Sequence, residues 1–397
     1  MVVNCGSSSL KFQLMSMPAQ EVVAKGLVDR IGQKVPAQFI YRTADKEFAS
    51  RPVTAKDHTA AVSFVIEALT SGETAVIKAR NEIAAFGHRV VHGGERFTSS
   101  MRITDEVMAC IKECCPLAPL HNPANLEGIK ACQKALPGVT NVAVFDTAFH
   151  QTMPPHAYHY ALPYEYYQRD RIRRYGFHGT SHKHVVRAFA EAAGKPVSGV
   201  NVVACHLGNG SSLTAVEKGK SIDTSMGFTP LQGVIMGTRS GDIDPAVVFF
   251  LMEHHKLSAD EVNTMLNKKS GLQGFSGVSS DMRDIQHAAQ TGVERAALVI
   301  EMWAYGIAKY IAAYVGILPR TDAVIFTAGI GENSPDLRTR ICTKLAGIGI
   351  VLDESLNTAQ GKARCITAAA SRVPVWVIPT NEELEIARET YDQVKPS

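Results

Sequence analysis

The sequence predicts an α/β fold made of two similar domains with mixed sheets flanked by helices. Along the chain, apolar β-type runs alternate with helical patterns. Two small-residue turns, Asn4-Cys5-Gly6-Ser7-Ser8-Ser9-Leu10-Lys11-Phe12 and His206-Leu207-Gly208-Asn209-Gly210-Ser211-Ser212-Leu213, lie about half the chain apart, each between apolar stretches. The chain has 397 residues, 45% of them hydrophobic, which is too long for one ordinary core and suits two.

Each small-residue turn reads as a tight hairpin whose glycines let backbone N–H groups approach an anion. A helix is expected over Ala60 to Leu69. Strands follow at Asn141 to Phe145 and Asn201 to His206. From Arg295 to Val315, apolar and aromatic residues recur at three- and four-residue steps, as in a helix with a buried face. Strands at Ala323 to Thr327 and Val373 to Ile378 come next. The segment Asn381-Glu382-Glu383-Leu384 starts a closing helix, with acids where the helix dipole favours them. No low-complexity linker separates the halves, so symmetry places the boundary near Asp146. The first domain is then 1–147 joined by 382–397, and the second is 148–381.

Composition narrows the function. Lys+Arg 41 against Asp+Glu 38 leaves a charge of only +3, which argues against nucleic acid or an anionic membrane and favours small-molecule partners. The eight cysteines contain no Cys-x-x-Cys pair and read as reduced, largely buried thiols. The start lacks a signal-peptide pattern, so a cytoplasmic location is expected.

Four other segments have the composition of a site. Gly87 to Glu95 sets Arg89 in a glycine-flanked turn, where its guanidinium forks onto a carboxylate or phosphate, or else pairs with an acid at the surface. Asp146 closes an apolar strand, either as a functional carboxylate or as a loop cap. Met236 to Asp242 holds Arg239 between glycines, in a reactive or merely polar turn. In Arg173 to His184, His178 and His182 stand four apart, open to metal ligation, a plain helix-face pair, or a phosphate-facing His178.

Two nucleotide signatures fail. Thr214 stands where a P-loop ending in Gly219-Lys220-Ser221 needs glycine, and Ser334 stands where the dinucleotide fingerprint begun by Gly329-Ile330-Gly331 needs its third. What remains is Phe326-Thr327-Ala328-Gly329-Ile330-Gly331-Glu332-Asn333, whose glycines would let a base or ribose lie against the backbone.

Together with Pro119-Leu120-His121-Asn122 and Pro379-Thr380-Asn381-Glu382-Glu383, these ordered segments resemble the acetate and propionate kinase family from Asn4 to Ala387. The resemblance implies actin-like ATPase domains with an active-site cleft between them, and a homodimer. It implies reversible, direct in-line transfer of the ATP γ-phosphoryl to a short-chain carboxylate, chiefly acetate, with propionate or butyrate as the alternative. An actin- or chaperone-like ATPase switch is the reading from another class.

By the same resemblance, Arg89 and Arg239 hold carboxylate and phosphoryl, His178 stabilises the transition state, Asp146 positions and His121 lies near the phosphate. Val91, Leu120, Phe177 and Pro230 line the acyl pocket. Ser7, Ser9, Lys11, His206, Gly208, Asn209 and Gly210 belong to the phosphates; Asp281, Met282, Arg283, Gly329, Ile330 and Asn333 belong to the adenosine side of ATP/ADP. Asn4 and Glu382 would stand around Mg²⁺, or Mn²⁺ in its place. Only three residues precede Asn4, where the family has a full strand. Ala328 stands where the family has glycine, adding a methyl beside the nucleotide.

Overall fold

A computed structural model describes residues 1–119, 121–359 and 361–395. By its contacts the chain divides into two compact units, Met1–Gln151 with Asn381–Ser397, and Thr152–Thr380.

The first unit is built on eight strands: β1 (Val2–Cys5), β2 (Ser9–Ser16), β3 (Glu21–Asp29), β4 (Ala37–Thr43), β5 (Glu47–Val53), β6 (Ala85–Val90), β7 (Met101–Arg102) and β8 (Thr140–Phe145). Their order is β5-β4-β3-β2-β1-β6-β8-β7. The β1–β5 run is antiparallel, whereas β6 joins β1, and β8 joins β6, in parallel. One face packs Phe12, Phe39 and Tyr41 against Val62, Val65 and Ile66 of the helix His58–Thr70. The opposite face receives Ile386 and Ala387 of the helix Glu382–Val394, against Val2, Val142 and Val144. Gly87 allows that approach, since a Cβ there would lie 2.1 Å from Thr390 Oγ1.

The second unit repeats the plan in six strands: β9 (Val202–Leu207), β10 (Ser211–Glu217), β11 (Lys220–Thr224), β12 (Ala323–Thr327), β13 (Arg364–Cys365) and β14 (Val375–Val377). The order β11-β10-β9-β12-β14-β13 again sets an antiparallel meander beside two parallel strands and one antiparallel edge. Its central helix, Glu294–Ile317, is long and apolar enough to cross a membrane by length and composition. Here its stripe of Trp303, Ile307 and Ile311 is buried against Val203, Leu213, Val324 and Phe326.

Each expected hairpin forms, as β1 with β2 and β9 with β10. The closing helix starts at its expected cap, with Asn381 Oδ1 accepting from Leu384 N–H at 3.0 Å. One local expectation fails. Arg89 lies inside β6 rather than in a glycine turn, because Ala85, Phe86 and Val90 carry the segment into the sheet and Gly87 serves helix packing.

Candidate active site

The residues singled out from the sequence fall into two groups, one in each unit. In the first, the parallel register of β6 and β8 pairs Arg89 with Val144 and Val90 with Phe145, which brings the next residue, Asp146, beside the arginine. Arg89 Nη2 donates to Asp146 Oδ2 at 2.7 Å, and Nε donates to both carboxylate oxygens at 3.2 and 3.1 Å. Asp146 is 1% exposed, so its charge goes to fixing the guanidinium rather than to solvent. Asp146 raises the Arg89 pKa, with Glu382 and Glu383 adding to the effect.

Arg89, Asn4, Lys11, Glu382 and Glu383 line one small cavity. Burial pushes the Glu382 pKa up; Arg89 opposes that, while Asp146 and Glu383 add to it. Lys11 is ion-paired to Glu383, so its ammonium is already engaged with a carboxylate. Ser7 is exposed and Ser9 half-buried in the first hairpin turn, where Gly6 N donates to Ser9 O at 2.9 Å.

Val91, directly after β6, is 6% exposed, and its N–H donates to Asn125 Oδ1 at 3.2 Å. Asn125 in turn donates to Cys5 O at 3.1 Å, tying this loop to the first hairpin. Asn122 clamps the following residue from both sides, accepting from His92 N and donating to His92 O, each at 3.0 Å. His121 stands at the N-cap position of the helix Asn122–Ala135, without a side-chain capping bond, and is half-buried, while Leu120 lies outside the described residues. The structural roles of Asn122 and Asn125 were missed from sequence. Their only signal is two asparagines in the first turn of a helix, far along the chain from the backbone they bind.

In the second unit, β9 and β10 meet at Gly208-Asn209-Gly210, where Gly208 N donates to Gly210 O at 3.1 Å. His178 is not a helix-face residue. It precedes the helix Gly179–Ala192 in a left-handed conformation, φ +56°. Its Nδ1 and the Nε2 of His182 meet the same hydroxyl, Ser212 Oγ, at 2.9 and 2.8 Å. Ser212, which sequence reasoning passed over, thus joins both rings and takes one nitrogen of each away from any shared metal. The other His178 nitrogen, Nε2, is aimed at the hairpin: a Cβ placed on Gly210 would lie 3.3 Å from it and 3.7 Å from Arg239 Nη1. The His178 ring also stacks on His206 with centroids 4.2 Å apart.

Arg239 projects from its turn to donate to Pro230 O at 3.1 Å and to Met236 Sδ at 3.5 Å. No carboxylate pairs with it among the described residues, and burial lowers its pKa. A largely buried cation without a counterion, beside a histidine nitrogen and the backbone of a glycine turn, is a seat for an anion. The turn is locked to the hairpin, since Gly237 N donates to Asn209 O at 2.9 Å and a Cβ on Gly237 would stand 1.7 Å from Asn209 Oδ1. Phe177, which precedes His178, is 1% exposed.

Beside this seat opens a cavity of about 740 Å³ lined by Gly208, Asn209, Asp281, Met282, Arg283, Gly329, Ile330 and Asn333, all named from the sequence. Ser280, Gln286, Ser334 and Asp336 complete it and carried no sequence signal of their own. Asp281 caps the helix Met282–Gln290 and pairs with Arg283 at 2.6 Å, which takes its pKa down to about 2. Ala328 adopts φ +64°, a left-handed backbone that glycine enters without cost, in keeping with the glycine expected there from the resemblance.

The sequence profile of the acetokinase family matches residues 1–388. Acetate kinase of Desulfitobacterium hafniense (strain DSM 10664 / DCB-2) is 54% identical over 396 residues, covering 100% of this chain and 99% of that protein. Acetate kinase of Acetivibrio thermocellus is 53% identical over 398 residues, with coverage of 100% and 99%. Among solved structures, Porphyromonas gingivalis acetate kinase superposes with a TM-score of 0.94 at 46% identity, covering 99% of both chains. A propionate kinase from Francisella tularensis gives 0.91 at 41% identity, also covering 99% of both.

Proposed function

The chain belongs to the acetokinase family, and from that premise we propose that it interconverts ATP and acetate with ADP and acetyl phosphate by direct in-line transfer. The observation that carries the chemistry is the meeting of His178 Nε2, the Arg239 guanidinium and the Gly210 backbone at one point. Phosphoryl transfer asks for positioning and for positive charge around three equatorial oxygens, and this point supplies both.

Arg239 gains its missing counterion when phosphate arrives, and His178 is oriented by Ser212 to meet the same group. The hairpin at Asn209 and Gly210 holds the β- and γ-phosphates, with the adenosine in the cavity of Asp281, Arg283, Gly329, Ile330 and Asn333. Arg89 holds the carboxylate. Asp146 is a positioning group rather than a base, because both its oxygens bind Arg89 and a carboxylate nucleophile is already ionised at neutral pH. By the family resemblance, Val91, Phe177 and Pro230 are assigned to the acyl chain and His121 to the transferring group.

Mg²⁺, or Mn²⁺ in its place, fits Asn4 and Glu382. Both line one cavity, where the Glu382 carboxylate and the amide oxygen of Asn4 are oxygen donors of the kind a hard cation takes, and burial raises the Glu382 pKa. The ion, when bound, shields the phosphate charge.

A homodimer through the second unit accords with the helix Ala246–His254, whose nine residues are all unburied although five are Val, Phe or Leu; Phe249 and Phe250 are 65% and 52% exposed.

The test is hydroxylamine trapping of acyl phosphate over C1 to C5 carboxylates with ATP and Mg²⁺. Acetate and propionate should both react, with kcat/KM differing by roughly 10- to 200-fold at most, since a single methylene in an apolar pocket decides no more. Val91→Ala should raise the butyrate-to-acetate ratio of kcat/KM; a flat ratio removes Val91 from the pocket. Absence of hydroxamate with every acid overturns the function.

A further inference from the structure

Glu332 lines neither the phosphate seat nor the nucleotide cavity, yet its carboxylate joins the elements that form both. A single oxygen, Oε1, accepts three hydrogen bonds: from Ala328 N at 2.8 Å, Thr380 N at 3.0 Å and Thr327 Oγ1 at 3.3 Å. The first fixes the residue in the second unit's nucleotide turn whose backbone is least comfortable. A non-glycine residue in the left-handed region is strained and persists only where its surroundings over-determine it.

Ala328 also sets the distance between two parts of the site. A Cβ on Gly208, in the phosphate hairpin, would come within 3.8 Å of the Ala328 methyl, and the next residues after Ala328 are Gly329 and Ile330 of the cavity. The second hydrogen bond continues elsewhere. Thr380 Oγ1 lies 2.7 Å from Ser181 Oγ, which lies 2.8 Å from His206 Nδ1, and the His206 ring stacks on His178. At the other end of the turn, buried Arg338 donates to Gly331 O and Glu332 O at 2.8 and 3.0 Å. The short helix Ala328–Asn333 is therefore held at both ends, its start by the Glu332 side chain and by Asn333, which donates to Gly329 O at 2.9 Å.

We propose that Glu332 is a positioning residue for the nucleotide, holding the Ala328–Asn333 turn against the phosphate hairpin in the geometry that ATP and ADP require. The proposal rests on the nucleotide assignment above. Steady-state kinetics of Glu332→Ala should show KM for ATP and ADP raised about tenfold or more, with KM for acetate within about twofold of wild type, as follows from losing a charge-assisted contact on one substrate's side only. Glu332→Gln, whose amide oxygen still accepts from Ala328 and Thr380, should restore nucleotide KM to within about threefold. Should Glu332→Ala fail to fold, Glu332→Asp, which keeps the charge and shortens the reach, takes its place in the same comparison.

Unchanged nucleotide KM, a parallel rise in acetate KM, or a Gln variant as impaired as Ala would overturn the proposal. Asn333→Ala, measured alongside, separates this from the pocket assignment. If Asn333→Ala raises nucleotide KM and Glu332→Ala does not, Glu332 is not a positioning residue and the pocket stands. If neither raises it, both assignments fall.

Discussion

In the function proposed above, Arg239 is the residue that burial and charge together single out. Arg89 has the Asp146 carboxylate beside it, whereas among the described residues Arg239 meets a carbonyl and a sulfur. Arg239→Leu should cut kcat about 10²-fold or more with native circular dichroism, since an oriented positive charge is removed from developing phosphoryl charge. Near-normal turnover in that variant would end the assigned role. His88 carries a different prediction. Burial lowers its pKa from 6.5 to about 4, against the opposing hydrogen bond to Asn141 at 2.7 Å. The unfolded chain takes up a proton below pH 6.5 that the folded chain refuses until about pH 4. The stability tied to this group is therefore present above pH 6.5 and is lost as pH falls toward 4, on the order of 3 kcal/mol. A plot of Tm against pH should be less steep over that window in His88→Gln; identical slopes would show that His88 does not set the acid limb.

At the scale of elements, the two hairpins and the closing helix were legible because their signals are local. Glycine spacing, a strand-like approach and an asparagine cap act within a few residues of one another. Arg89 misled for the same reason. Its flanking glycines suggest a turn, but the need for Gly87 comes from Thr390 on a helix at the other end of the chain. Gly237 is the element-scale counterpart in the second unit, the glycine through which the Arg239 turn fits under Asn209. Gly237→Ala should displace the Asn209 side chain and lower kcat/KM for ATP by about 10²-fold, because misplacement of about 1 Å costs that much in an oriented site. A thermal melt beside the kinetics distinguishes misplacement from unfolding. Wild-type kcat/KM would show that the Asn209 side chain has no part in holding phosphate.

At the scale of the molecule, each unit sets an antiparallel meander beside two parallel strands and closes on an antiparallel edge. In the proposed homodimer, the exposed phenylalanines of Ala246–His254 belong to the contact face. Phe249→Asp with Phe250→Asp should halve the mass seen by sedimentation, because charge on an apolar contact face opposes its burial. A wild-type chain that sediments as a monomer removes the homodimer.

The α/β class, the paired hairpins and the reactive residue types follow from the order of amino acids, since period, glycine placement and side-chain chemistry are properties of short stretches. The partners of those residues do not. Arg89 meets Asp146 across 57 positions, His178 meets Ser212 across 34, and Glu332 meets Thr380 across 48. Strand register and helix docking choose such pairs, and they alone decide that Arg89 is ion-paired to a carboxylate while Arg239 donates to a carbonyl.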